Sequence, residues 1–104
     1  MQEMQSGDGK RTLDAPGTTL IFIHSPFCGT CHLARKMLTT LEVVFNREVF
    51  KELNASLYPE LMKKYKIESV PCLVVTKQGQ IKQKIYAFHS VSHMYEQVVK
   101  YVEY

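Results

Sequence analysis

From Thr19 to His24 the run Thr-Leu-Ile-Phe-Ile-His is apolar at nearly every position and rich in β-branched residues. That length and composition predict a strand buried on both faces, not one that alternates between core and water. Ser25-Pro26-Phe27 breaks the run, and the period then changes. From Cys28 to about Val44, the residues Leu33, Met37, Leu38, Leu41 and Val44 recur at helical spacing, which predicts an amphipathic helix with one apolar stripe. A second strand fits Glu48 to Asn54. Ser56-Leu57-Tyr58-Pro59 opens a short helix, with Pro59 in its first turn and Leu61 and Tyr65 on one face. Val70 precedes Pro71 and is therefore extended, and Cys72-Leu-Val-Val-Thr76 reads as a third strand. Lys77-Gln78-Gly79-Gln80 is a turn signal, so Ile81 to Phe88 pairs back as a hairpin. A last helix, from Ser90 or Ser92, carries Val91, Met94, Val98 and Val102 on one face.

The order strand, helix, strand, short helix, hairpin, helix needs a parallel crossover followed by antiparallel pairing. It predicts one three-layer α/β/α domain with a mixed central sheet over residues 19–104. Residues 1–18 are polar, with Gly and Asp and no sustained period, and read as a lead-in.

A chain of 104 residues suits one domain, and its apolar share is enough for a core without disulfide staples. The net charge of +3, with basic residues scattered apart from Met62-Lys-Lys-Tyr-Lys66, points away from nucleic acid and from a membrane surface. Met1 to Gly9 lacks the charged head and apolar run of a secretory signal, which leads to the expectation of a cytoplasmic protein. In that compartment three cysteines speak for catalysis, metal binding or a buried thiol, not for a disulfide framework.

Cys28-Gly29-Thr30-Cys31 sits where the buried strand turns into the helix. At a helix start the first cysteine meets unsatisfied backbone N–H groups and the positive end of the dipole, which stabilise a thiolate. The thiolate is the attacking species in disulfide exchange. Cys31, one turn inside, is placed to resolve a mixed disulfide, and Gly29 allows close approach of a substrate backbone. Spacing alone also fits paired core cysteines or half of a zinc site.

Phe27-Cys-Gly-Thr-Cys31 after Leu20-Ile-Phe-Ile-His-Ser25, with Val70-Pro71 ahead of a strand and a Gly-containing hairpin, resembles the thioredoxin family from about residue 19 to 104. The resemblance implies a thioredoxin fold with a four- or five-stranded sheet and thiol–disulfide oxidoreductase activity. It makes Cys28 the nucleophile, Cys31 the resolving cysteine and Pro71 a cis-proline that frees the backbone of Val70 to bind an extended substrate strand. Phe27, Gly29 and Thr30 complete the substrate-binding surface. The implied partners are disulfide-containing proteins and a disulfide reductase or low-molecular-weight thiol, for a monomer whose redox-active disulfide is its only cofactor.

The chain departs from the family pattern beneath the sulfurs. Thioredoxins usually have Trp-Cys-Gly-Pro-Cys, whereas here Phe27 and Thr30 stand at the Trp and Pro positions. The family's buried Asp is replaced by Phe22, and its lysine partner aligns with Glu52. Proton transfer to and from Cys31 must then use Glu52, water or nothing. Glu52 is the candidate proton acceptor if it lies on the same side of its strand as Phe50; the alternative is that it faces solvent and pairs with a nearby lysine. Residues 1–18 show no first strand and helix.

Three other patterns compete. Cys28-Gly-Thr-Cys31-His32 matches c-type haem attachment with Met94 as distal ligand, but it follows a strand in a chain expected to stay unexported. A zinc site could combine Cys28, Cys31, Cys72 and a histidine, without the paired spacing of a zinc ribbon. A thioredoxin-fold binding module would need no cysteine pair. Cys72, directly after Pro71, is either a buried core thiol or an auxiliary thiol forming mixed disulfides. His24, His89 and His93 read as surface or strand-end residues, and Tyr101 and Tyr104 as edges of the last helix.

Overall fold

Residues 1–4 and 17–102 are described by the computed structural model. The apolar run becomes strand β2 (Thr18–His24), preceded by a two-residue strand β1 (Gln2–Glu3). Helix α1 spans Gly29–Phe45, β3 Phe50–Asn54, α2 Pro59–Lys64, β4 Cys72–Lys77, β5 Gln80–Ile85 and α3 Val91–Val98. The sheet has five strands in the order β1-β3-β2-β4-β5. β1 and β2 run parallel to β3, while β4 is antiparallel to both β2 and β5. The five-stranded alternative is thus the one realised, with a first strand too short to leave a periodic signal. The expected lead-in over residues 5–16 and the edge position of Tyr104 lie outside the described residues.

Burial on both faces explains the unbroken apolar run of β2, because each face is covered by helices. Leu20 and Phe22 point to one side and join Cys31, Ala34, Leu38, Leu41, Phe45, Met94 and Val98 of α1 and α3. Ile21 and Ile23 point to the other, where Leu61, Met62 and Tyr65 of the α2 region pack. The molecule is therefore three-layered, with the first cluster lying directly under α1.

Several boundaries differ from expectation for local reasons. β3 starts at Phe50 instead of Glu48 because the N–H groups of Val49 and Phe50 donate to Glu42 Oε2 of α1, at 2.8 and 3.1 Å. β5 stops at Ile85, paired with Leu73, since β4 offers no backbone partner beyond Cys72, where Pro71 lacks an N–H. The apolar stripe of α1 runs through Cys31, Ala34, Leu38, Leu41 and Phe45, while Leu33 and Val44 are 57% and 56% exposed. Small Cys31 and Ala34 let the helix lie close to the sheet, and this sets its rotation. Positive φ at both Gln78 (55°) and Gly79 (77°) makes the β4–β5 connection a two-residue turn that matches strand twist.

Candidate redox site

The end of β2 delivers the chain to the start of α1, and Cys28 is the N-cap of that helix. Its Sγ accepts from the backbone N–H of Cys31 at 3.2 Å and meets Thr30 Oγ1 at 3.4 Å. Cys28 and Cys31 are joined as a disulfide with their Cα atoms 5.3 Å apart. Cys28 is half-buried and Cys31 is 3% exposed, so one sulfur faces incoming molecules and the other faces the core. Two donors converging on Cys28 Sγ are an arrangement that favours a thiolate there once the pair is reduced.

The Val70–Pro71 peptide is cis. Pro71 lines a cleft of about 260 Å³ together with Thr30, Leu33, Ala34, Tyr86 and Phe88. Phe27 is 93% exposed at the edge of the pair, and Gly29 is exposed, with open space where a Cβ would stand. Three lining residues have no local signal for this role. Leu33 belongs by its spacing to the core stripe, and Tyr86 and Phe88 to a strand that ends before them.

Cys72 does not join the pair. Its side chain is wholly buried in the cluster on the opposite face of the sheet from Cys31. Burial pushes its thiol up to about 11, only partly offset by a hydrogen bond with Tyr86 and the charge of Lys84. Because the sheet separates Cys72 from Cys31, the four-ligand zinc set is not assembled. Met94 is fully buried among core side chains, and His32 is exposed. A thiol harder to ionise folded than unfolded contributes stability that is complete below its ordinary value of 9.0 and is lost as pH rises toward 11. Chemical denaturation at stepped pH should show an alkaline loss of up to about 2–3 kcal/mol in wild type. Cys72→Val should remove most of that loss, and an identical alkaline slope in both proteins would refute the assignment.

On the face of the sheet that α1 covers, three adjacent strands bring together residues far apart in sequence. Glu3 of β1 pairs in register with Glu52 of β3, and His24 closes β2 beside them. His24 is buried, not a surface residue, and its Nε2 lies 3.5 Å from Glu3 Oε2 and 3.9 Å from Glu52 Oε1. Burial holds its imidazole below the usual range, against the opposing charge of Glu3 and with that of Arg35 assisting. The three donor atoms lie within 4.8 Å of one another, but the cation that meets this carboxylate cluster is Arg35, which forms an ion pair with Glu52. Glu52 is buried and turned toward α1, as its alternation with Phe50 requires. Phe22 stacks on His24 at 5.6 Å and meets Phe88 edge-on at 6.1 Å. Sequence reasoning misses Arg35 and Glu3 because neither belongs to a local motif.

Comparison with known proteins agrees with this geometry. A family model described as Thioredoxin matches residues 9–100. The thioredoxin-like protein YusE of Bacillus subtilis is 46% identical over 77 residues, covering 74% of this chain and 73% of that protein. A thioredoxin of Chlamydia caviae is 25% identical over 80 residues, covering 77% of this chain and 78% of its own length. Among solved structures, a mutant thioredoxin from Halobacterium salinarum NRC-1 superposes with a TM-score of 0.79 at 15% identity, over 99% of this chain and 91% of that one, which is a likeness of fold. On the family match, the B. subtilis relative and the cysteine pair at the head of α1, this chain belongs to the thioredoxin family.

Proposed function

We propose that the protein exchanges a dithiol for a disulfide at Cys28 and Cys31 with disulfide-containing proteins, and is returned to its reduced form by a disulfide reductase or a low-molecular-weight thiol. The observation that carries this is the sulfur of Cys28 at the N-cap of α1, half-buried and within reach of two donors, with its partner cysteine sealed behind it. Cys28 thiolate attacks a substrate disulfide, one substrate sulfur leaves, and a mixed disulfide forms. Cys31 thiolate then attacks Cys28 Sγ and releases the second substrate sulfur. The substrate gains two electrons and the cysteine pair loses them, so no cofactor beyond the pair is needed.

An extended substrate segment fits the cleft that Thr30 and Pro71 line, with the Val70 backbone as its hydrogen-bonding edge and the exposed Phe27 and Gly29 beside the cysteine pair. Reduced thiols as the working state suit the cytoplasm. Among the described residues no helix is long and apolar enough to cross a membrane. Turnover in an insulin-reduction assay with dithiothreitol as reductant, lost in Cys28→Ser, tests the proposal. Absence of turnover above the reductant alone would leave a binding module in its place.

In this reading Glu52 is the proton acceptor for Cys31. Burial disfavours the Cys31 thiolate, and Phe22 offers no base. Glu52→Gln should slow turnover and alter its pH dependence across about pH 6 to 9, the window around a thiol's titration. An unchanged pH–rate profile would remove Glu52 from the reaction.

A further inference from the structure

Arg35 stands four residues after Cys31 in α1, so the two side chains share one face of the helix. Long helical side chains lean toward the N-terminus, which carries the guanidinium back over the turn that bears Cys31. Two contacts fix where it goes. Its Cζ lies 5.6 Å from the centroid of Phe22, a ring packed in the same buried cluster as Cys31. Its guanidinium is also ion-paired with Glu52. A positive charge is thereby held against the proposed proton acceptor and over Phe22, a ring of the buried cluster that also contains Cys31.

On the reading that the cysteine pair exchanges disulfides, resolution requires a buried negative charge to move. The proton passes from Cys31 Sγ to the Glu52 carboxylate, leaving a thiolate and a neutral carboxylic acid. The thiolate then attacks Cys28 Sγ, the Cys28–Cys31 bond forms, and the bond from Cys28 to substrate breaks. Its electron pair leaves on the substrate sulfur, which takes a proton from water. Without a cation, the charge arriving on Cys31 would stand unpaired in a low-dielectric pocket, a costly state. We propose that Arg35 is a positioning residue for this step, its guanidinium passing from Glu52 to Cys31 as anionic partner while the proton passes the other way. The buried charge is then paired at both ends of the transfer.

Among the described residues, the titratable groups that meet the Arg35–Glu52 ion pair are His24 on β2 and Glu3 on β1, 3.5 Å apart. On the Cys31 side α3 contributes the apolar Met94 and Val98. Phe22 takes on a role here too, as the platform under the guanidinium.

Single-turnover kinetics across a pH series separate the two stages, with reduced protein mixed against a small aromatic disulfide. The fast phase reports formation of the mixed disulfide at Cys28, and the slow phase reports closure of Cys28–Cys31. Arg35→Gln should slow the second phase about tenfold at neutral pH and raise its pH midpoint by about one unit, the same effect expressed twice. Its first phase should stay within about twofold of wild type. Arg35→Lys, which keeps the charge, should recover most of the rate. Combining Arg35→Gln with Glu52→Gln should be far less than additive, as expected for groups acting as a unit. Arg35→Met, which keeps the stem over Phe22, carries the same test where Arg35→Gln fails to fold. A second phase unchanged in rate and midpoint overturns the proposal, and so does an Arg35→Lys protein as slow as Arg35→Gln. A wild-type protein with no first phase refutes the exchange reading instead.

Discussion

Cys31→Ser is expected to accumulate as a covalent adduct with its substrates, whereas Cys28→Ser loses exchange altogether. The asymmetry follows from the two positions. Cys28 is the half-buried N-cap of α1, and its sulfur meets the Cys31 N–H and the Thr30 hydroxyl. A thiolate there is stabilised by those donors and by the helix dipole, and it is open to attack a disulfide. Cys31 is 3% exposed, inside the first turn, and can reach only what is already attached to Cys28. With Cys31→Ser the second displacement has no nucleophile, so adducts persist until external thiol is added. Mass spectrometry of protein incubated with a disulfide-bonded test protein should show one adduct through Cys28. In the reduced wild type, iodoacetamide should label Cys28 at least about tenfold faster than Cys31 at neutral pH, because its sulfur is both the more accessible and the one whose thiolate the donors stabilise. Faster labelling of Cys31 would reverse the two roles.

Phe22→Ala is expected to be the most damaging single change beneath the site. The ring is fully buried between the sheet and α1, and it touches His24, Phe88 and Arg35. Truncating a buried Phe costs about 3–5 kcal/mol, from lost transfer free energy plus the cavity left behind. For a domain of this size that is a large part of the whole stability. The void would also open beside the Arg35–Glu52 ion pair and the His24 imidazole, where water would raise the effective dielectric. Phe22→Leu, which fills most of the volume, should cost less than half as much. Urea denaturation monitored by circular dichroism measures both variants. A loss below about 1 kcal/mol in Phe22→Ala, the level of an ordinary surface change, would contradict this account of the core.

The local elements are legible in the sequence because each rests on short-range chemistry. The apolar run of β2, the change of period after Ser25-Pro26-Phe27 and the Gln78-Gly79 turn all have signals within a few residues. The redox pair is legible for the same reason, since both cysteines and the helix start that activates them lie in one stretch. Where the sequence misleads, a neighbour outside the segment decides. Leu33 has the hydrophobicity of a core residue, yet it lines the cleft beside Pro71, because the smaller Cys31 and Ala34 set the rotation of α1 against the sheet. Cys72 is next to Pro71 in the chain, yet β4 alternation sends its side chain through to the other face.

The sequence by itself determined the class of fold, the order of its elements and the identity of the cysteine pair, since periodicity, turn residues and a strand-to-helix junction are local properties of the chain. The tertiary structure alone decided which charged groups gather on the sheet face that α1 covers. Glu3, His24, Arg35 and Glu52 come from β1, β2, α1 and β3, and no spacing in the chain relates them. They meet because parallel register places Glu3 against Glu52 and Phe22 beside it, and because the turn of α1 bearing Cys31 and Arg35 packs on that face. The burial of Glu52 and His24 exists only when the sheet has formed, which is why their electrostatics belong to the fold and not to any segment of it.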